Sequence, residues 1–435
     1  MEIAEERPYY TPGTIRFCNS FAVPAPEIPT QHGELGIRYD FCEGARLLLP
    51  NGKWHVRIED SDSGNVLYDG DSAGGLVSSR QKYYINAKIR VWQKGNDSEI
   101  LNHKMDLKDR PVQIHFPFGA LGDNIAWMSA AVRFVRKHGC KAEFLIGKDL
   151  ADLFASQYPD IIFTDICSEK YHFSSPYALY RMGFFQKENT HWGVFHPKTI
   201  GLHHNAAYIL DVDNTEEPPK VFLGSKRLIK ERYVCIASKA SSAAKLWNNS
   251  SGWQETINYL KNIGYRVLCI DKDRFTGFGY GLYGLLKNSK VWYCYGSRKW
   301  RYTFNDVPEG AEDFTGNLPL QERVSLLEHA DFFIGLSSGL AWLAWCTKIP
   351  IIMISGFTMP TNEFYTPYRI YPRIGCKGCW NDPYVDFSVY DYMECPQHKG
   401  TEREFECSRN ITGKQVIGQI KRLMREKGLS RPDGK

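Results

Sequence analysis

Four cysteines near the end of the chain, Cys376-x2-Cys379-x15-Cys395-x11-Cys407, have the residue type and spacing to hold a metal ion. A Cys-x2-Cys pair lets both sulfurs of one turn face the same ion, and two later thiolates can close a tetrahedral shell around it. A closed four-sulfur shell leaves no coordination position for substrate, so the ion would be structural. The spacing favours zinc, and four thiolates also hold iron. Between the cysteines lie Asp382, Pro383 and many aromatics with little helical pattern, a segment that needs a staple to order. The rival reading, a redox pair at Cys376 and Cys379, lacks the βαβ context such pairs occupy.

Three short loops could carry other chemistry. In Phe118-Gly-Ala-Leu-Gly-Asp-Asn124, Gly119 and Gly122 permit a tight strand-to-helix turn with backbone close to a ligand, and both are expected to be donor-binding residues. Asp123 then sits at the helix start, where it either caps the helix or faces a crevice as a general base. In Gly335-Leu-Ser-Ser-Gly-Leu-Ala-Trp342, small residues again open a helix, and Ser338, Gly339 and Leu340 would offer amide groups and a positive dipole end to phosphate. This loop has neither the lysine of a P-loop nor a GxGxxG spacing, which disfavours a nucleoside triphosphatase or a dehydrogenase. In Ala240-Ser-Ser-Ala-Ala-Lys-Leu-Trp247, the hydroxyls of Ser241 and Ser242 and the ammonium of Lys245 could hold a diphosphate leaving group. Asp211-Val-Asp213 resembles a metal-holding Asp-x-Asp, but the Asn214-Thr-Glu-Glu-Pro-Pro219 run after it reads as a turn, so a hairpin end is expected there.

The elements that must position these loops fall into three regions. Residues 1–108 look all-β: Trp54, Val56 and Ile58 alternate with polar residues, as do Tyr83, Ile85, Ala87, Ile89 and Val91, and a small sheet or barrel is expected. The segment from Val23 to Pro29 is an extended lead-in. Residues 109–225 read as strand and helix in alternation, with Ile125, Met128, Val132 and Val135 at helical spacing after the first strand. Residues 226–435 repeat that logic, with the cysteine insert at 373–410 and a terminal helix. Repeated strand and helix imply a parallel sheet covered on both faces, and two such lobes would leave a cleft at the carboxyl ends of their strands.

Composition limits the classes of function. The chain has 54 Lys and Arg against 49 Asp and Glu, a net charge of +5, and a surplus of the same size lies between Lys414 and Lys435. The rest is neutral, which argues against a nucleic-acid binder, and the tail is expected to be a solvated helix face. No apolar run approaches the ~18 residues of a membrane span. Twelve cysteines in 435 residues are too sparse for a secreted disulfide scaffold, and MEIAEERPYY lacks the basic and apolar regions of a signal peptide. A cytoplasmic protein with reduced thiols is expected.

Taken together, Gly119-Ala-Leu-Gly-Asp123, Lys245-Leu-Trp247, Asp313-Phe-Thr-Gly316, Leu326-Leu327, Ala330-Asp331 and Ser338-Gly339-Leu340 resemble the ADP-heptose glycosyltransferases. With the N-terminal β region, the four-cysteine insert and Asn362-Glu-Phe-Tyr-Thr-Pro-Tyr368, the match extends over nearly the whole chain to the bacterial autotransporter heptosyltransferases. The resemblance implies a GT-B architecture of two Rossmann-like lobes, with residues 109–225 on the acceptor side and 226–435 binding the donor. It implies ADP-heptose as donor and inverting transfer to Ser, and secondarily Thr, hydroxyls of an autotransporter adhesin passenger. It also implies one iron on the four cysteines and a dodecameric bacterial enzyme. Many relatives carry Asp-Thr-Gly where this chain has Ser337-Ser338-Gly339, and a His where it has Trp342. The alternatives are a lipopolysaccharide-core heptosyltransferase, which would want a membrane-facing acceptor lobe, and a non-catalytic, metal-stabilised adaptor.

Overall fold

The computed structural model of the protein describes residues 23–95, 98–117, 119–168, 170–185, 187–272, 292–295, 298–301, 307–385 and 395–434. They divide into two compact units between Lys220 and Val221.

In the first unit, the buried run Pro111–His115 forms the first parallel strand of an α/β sheet. Its neighbours on one side are Lys141–Ile146 and then Ile161–Asp165, and on the other side Ala178–Arg181. The chain thus builds outward in one direction and then crosses to the opposite side of Pro111–His115. The carboxyl end of that strand therefore lies at a topological switch point, where α/β sheets bind ligands. The helix Leu121–His138 follows because Ile125, Met128, Val132 and Val135 recur on one face, and all four are buried. It ends at Gly139, whose φ of 61° is a left-handed cap and whose N–H donates to the Val135 carbonyl at 2.8 Å.

The β region is joined to this lobe. Arg38–Cys42 pairs in parallel with Ala178–Arg181, and Arg46–Leu49 and Gly75–Ser78 continue the sheet antiparallel. Strand pairing thus crosses the expected boundary at residue 108. The remaining strands, Val66–Ser72, Trp54–Asp60, Ala87–Gln93 and Ser98–Lys104, form an open antiparallel sheet. Trp54, Val56, Ile58, Ala87, Ile89 and Val91 fill its buried face, as the alternation requires; Tyr83 and Ile85 fall before the strand.

The expected hairpin at Asp211-Val-Asp213 is corrected. Tyr208 and its neighbours belong to a helix, Leu202–Leu210, that packs on Leu121–His138, and Asp211 caps it with φ 49°. Leu202, Ala206, Ile209 and Leu210 are buried at helical spacing, and that periodicity decided over the turn residues downstream. The aspartates are anchored to the facing helix: Lys137 Nζ donates to the Asp211 carbonyl at 2.5 Å, and Arg133 Nη2 to the Asp213 carbonyl at 3.0 Å.

The second unit holds a six-stranded parallel sheet in the spatial order Glu312–Asp313, Arg266–Cys269, Tyr233–Ala237, Phe333–Leu336, Ile351–Ile354, Tyr368–Ile370. Numbered along the chain this is 3-2-1-4-5-6, the order of a dinucleotide-binding fold, with the switch point between Tyr233–Ala237 and Phe333–Leu336. Val234, Ile236, Ile334 and Leu336 pack with Ile257 and Leu260 of the Gly252–Asn262 helix and with Val416, Ile420 and Leu423 of the Gly413–Glu426 helix. Thr412 Oγ1 accepts the Gln415 N–H at 3.3 Å and Gln415 Oε1 accepts the Thr412 N–H at 2.7 Å, a capping box that starts the last helix. Its Lys414, Lys421 and Arg425 face solvent, so the basic tail is a solvated helix face as expected.

Candidate functional site

Cys376, Cys379, Cys395 and Cys407 are all buried, between 3% and 9% exposed, and all four are free of disulfides. Burial first, then the neighbouring Cys376 and Cys395, push the Cys379 thiol up to about 12. Burial, followed by Cys376, Cys379 and Cys395, does the same to Cys407. Neighbouring cysteines thus add to burial in resisting the ionisation of Cys379 and Cys407, and a soft cation beside them would reverse that effect. This donor set fits iron or zinc.

The local backbone explains how the pair is presented. Gly378, between Cys376 and Cys379, adopts φ 71°, and its N–H donates to the Gly356 carbonyl at 2.8 Å. Trp380 N–H reaches the Phe357 carbonyl at 3.1 Å, so the cysteine turn is strapped to residues 356–357. Gly356 lies so close to Cys407 that a Cβ there would collide with the Cys407 carbonyl. Cys376 N–H donates to Glu406 Oε1 at 3.1 Å, and the Arg403 guanidinium beside Glu406 holds that carboxyl down at about 2. Cys376, His398 and Glu406 bring ligand atoms within 4.8 Å of one another. His398 and Glu406 were not singled out from the sequence, because nothing in their spacing sets them apart from surface residues.

The Ser241–Lys245 loop leaves the carboxyl end of Tyr233–Ala237, on one side of the switch point. Ser242 is buried and its Oγ accepts the Ala244 N–H at 3.2 Å, which starts the turn Ala243–Lys245; Ser241 and Lys245 are half-buried. The loop is braced from two sides. Asp271, itself buried, accepts the Ser238 N–H at 2.8 Å and the Lys239 N–H at 3.2 Å. Ala244 packs in one cluster with Cys376, Cys379, Cys407 and Phe357, and the Lys245 ammonium lies 5.9 Å from the Trp380 ring centre. Farther on, Trp247 Nε1 donates to the Ile411 carbonyl at 2.7 Å and Asn248 Nδ2 to Ser408 Oγ at 2.9 Å. The cysteine insert is thus a wall of the lysine loop.

On the other side of the switch point, Phe333–Leu336 leads into Ser338 as the N-cap of the helix Gly339–Cys346. The first-turn amides of that helix, with Ser338, Gly339 and Leu340 half-buried, form an anion-receptive end. Ser338 Oγ is shielded from solvent and has no hydrogen-bond partner among the described residues. The two loops named from the sequence therefore leave adjacent strands of one sheet on either side of its switch point.

In the first unit, Asp123 follows the switch-point strand as the third residue of the helix; the N-cap is Ala120, not Asp123, and Asp123 Oδ2 accepts the Ala120 N–H at 2.6 Å, so it supports the helix start from within the first turn. It remains half-buried rather than enclosed. Gly119 has φ 98°, and a Cβ there would lie 2.7 Å from Asp123 Cβ and 3.0 Å from the Trp127 ring. Only glycine lets this turn close over the aspartate. Gly122 is buried within the first turn of the helix. Phe118 lies outside the described residues, as do residues 386–394 of the insert.

Among the described residues, no helix is long and apolar enough to cross a membrane. The N-terminal domain model of glycosyltransferase TibC matches residues 33–95. Over its length the chain is 47% identical to autotransporter heptosyltransferase TibC of Escherichia coli O78:H11, covering 94% of both chains. It is 34% identical to the inactive autotransporter heptosyltransferase BimC of Burkholderia thailandensis, covering 92% of this chain and 88% of that one. The crystal structure of iron-containing dodecameric TibC from enterotoxigenic E. coli superposes with a TM-score of 0.84 at 46% identity, covering 93% of this chain and 100% of that one. TibC in complex with ADP-D-β-D-heptose gives 0.83, with 93% and 99% covered.

Proposed function

The chain belongs to the autotransporter heptosyltransferases, glycosyltransferases of GT-B type, and from that premise we propose that it moves heptose from ADP-heptose to Ser hydroxyls of an autotransporter adhesin passenger. Thr is a second acceptor, and transfer inverts the anomeric carbon. One observation carries the reading: the Lys245 loop and the Ser338–Gly339 helix start leave adjacent strands at the switch point of the Val221–Lys435 sheet. A diphosphate held there meets an ammonium on one side and backbone amides on the other. The donor class follows from TibC, which is 46% identical and has been solved with ADP-heptose.

The departing diphosphate needs its charge stabilised. Lys245, the hydroxyls of Ser241 and Ser242, and the amides around Ser338, Gly339 and Leu340 supply that without a catalytic metal. The acceptor hydroxyl must lose its proton as it attacks, and Asp123 is the assigned general base. Gly119 and Gly122 allow the turn that carries it. Cys376, Cys379, Cys395 and Cys407 would hold one iron, with zinc as the alternative, and iron is favoured because the similar TibC is iron-containing. In a closed thiolate shell the ion contributes structure rather than a step of the reaction. The oligomer assigned to this chain is the dodecamer described for TibC, and the compartment assigned to it is the cytoplasm, a reading supported by cysteines too sparse for a secreted disulfide scaffold.

Incubation with ADP-heptose and a neighbouring autotransporter passenger, read by intact mass, tests the reading. Successive heptose additions are expected. No addition, under conditions where TibC modifies its own acceptor, would overturn it. The adaptor alternative has a counterpart in the inactive relative BimC. Titration calorimetry with ADP separates the two, because a relic lobe binds nothing.

A further inference from the structure

The segment Asn362-Glu-Phe-Tyr-Thr-Pro-Tyr368 lies outside the three loops above, yet it carries a buried carboxylate that reaches one of them. Glu363 is 2% exposed. Its Oε2 pairs with Arg369 Nη1 at 2.8 Å. Its Oε1 receives Asn362 Nδ2 at 2.8 Å and the hydroxyl of Ser337. Thr358 Oγ1 donates in turn to Ser337 Oγ at 3.1 Å. Arg369 also bonds Ser355 Oγ and the Phe364 carbonyl, each at 3.1 Å. A carboxyl group this deep needs polar partners in place of water, and Arg369, Asn362 and Ser337 supply them.

The network touches both parts of the molecule that matter. At one end, Ser337 directly precedes Ser338, the N-cap whose own hydroxyl has no partner among the described residues. At the other, Asn362 Oδ1 accepts from Asn381 Nδ2 at 3.1 Å, and Asn381 stands two residues beyond Cys379 in the turn Cys379–Asn381. Asn381 Oδ1 also accepts the Met359 N–H at 2.8 Å.

We infer that Glu363 is a positioning residue for the donor phosphates: through the Ser337 hydroxyl it fixes the turn that aims Ser338 and the first amides of the Gly339–Cys346 helix. The inference rests on the donor assignment made under the proposed function. Glu363 touches no reacting atom, and its effect is to keep the phosphate-facing amides from sampling orientations in which they miss the ligand. The Asn362–Asn381 link makes the cysteine turn part of the same support.

The full-length, metal-loaded protein is titrated with ADP well below its melting temperature, as wild type, Ser337→Ala, Ser337→Thr, Glu363→Gln and the Ser337→Ala/Glu363→Gln double variant. Ser337→Ala is expected to weaken ADP binding roughly 5- to 20-fold, with bound metal unchanged. Ser337→Thr, which keeps the hydroxyl, is expected to restore it to within about twofold. The double variant is expected to bind no worse than Glu363→Gln, because both substitutions break one chain of contacts. Ser337→Ala binding ADP like wild type, or fully additive losses in the double variant, would overturn the inference. If Glu363→Gln does not fold, the Ala and Thr variants decide it. A wild-type protein that binds no ADP would instead overturn the donor assignment itself.

Discussion

Asp123 has one observed role and one proposed role, and their energies can be separated by substitution. Its Oδ2 accepts the Ala120 N–H at 2.6 Å, which stabilises the start of the Leu121–His138 helix, and the same carboxylate is the assigned base. Asparagine keeps a side-chain oxygen for that N–H but has none basic enough to take the acceptor's proton. Alanine loses both. Removal of a general base slows chemistry by about 10²- to 10⁴-fold, which is about 2.7–5.4 kcal/mol of barrier. Losing the cap costs about 0.5–2 kcal/mol of stability. In a unit the size of Asn19–Lys220 each kcal/mol lowers the melting temperature by roughly 2–4 °C. Asp123→Asn should therefore lose at least about 100-fold in single-turnover transfer with little change in melting. Asp123→Ala should lose as much rate and melt a few degrees lower. ADP affinity, assigned to the other unit, should be unchanged in both. Single-turnover transfer, differential scanning calorimetry and ADP titration read the three quantities. Asp123→Asn keeping more than about a third of the wild-type rate would refute the base assignment. So would a rate loss in Asp123→Asn that is matched by an equal loss of ADP affinity.

Lys245→Ala should weaken ADP binding about 10- to 150-fold, the range for a hydrogen bond to a charged group, and unchanged affinity in titration calorimetry would remove lysine from the phosphate site. Cys379→Ser should lower folded yield and bound metal together, and elemental analysis finding neither iron nor zinc in the wild type would remove the metal reading. With Cys379 and Cys407 pushed up to about 12, these two thiols keep their protons at neutral pH in the metal-free protein and loading must expel them, so metal affinity falls as pH falls. Competition with a chelator at about pH 6 and about pH 8 should show faster loss at the lower value, and equal loss would contradict a thiolate shell. Gly356→Ala changes no ligand yet sets a methyl against the Cys407 carbonyl, so it should cost bound metal and folded yield much as Cys379→Ser does. A fully loaded, stable Gly356→Ala protein would show that the close approach is not needed.

Local pattern was enough wherever one residue's type fixes its neighbours. Period-two burial at Trp54, Val56 and Ile58 and helical spacing at Ile125, Met128, Val132 and Val135 described real elements. The Cys-x2-Cys pair and the small residues at Gly119 and Ser338 marked turns that the backbone does make, because φ above zero and helix N-caps admit few residue types. The Asp211-Val-Asp213 reading failed for a related reason: turn residues after position 213 say nothing about whether the apolar run before them is strand or helix, and packing on Leu121–His138 settled that.

Residues that support a site from behind left no such mark. Asp271, Glu363 and Trp380 look like ordinary surface chemistry in the sequence, and their roles arise from contacts between segments far apart along the chain: Asp271 with Ser238, Glu363 with Ser337, Trp380 with Lys245. The fusion of Arg38–Cys42 to Ala178–Arg181 is equally a matter of pairing between distant strands. The amino-acid sequence by itself determined the four thiols, the glycine turns and the alternation of strand and helix, since each depends on chemistry or sterics within a few residues. Tertiary structure alone decided the 3-2-1-4-5-6 strand order that puts the Lys245 and Ser338 loops on adjacent strands at the switch point, and the burial that places an acidic side chain at 363 against Ser337. Both depend on which distant surfaces exclude water together, and no local spacing encodes that.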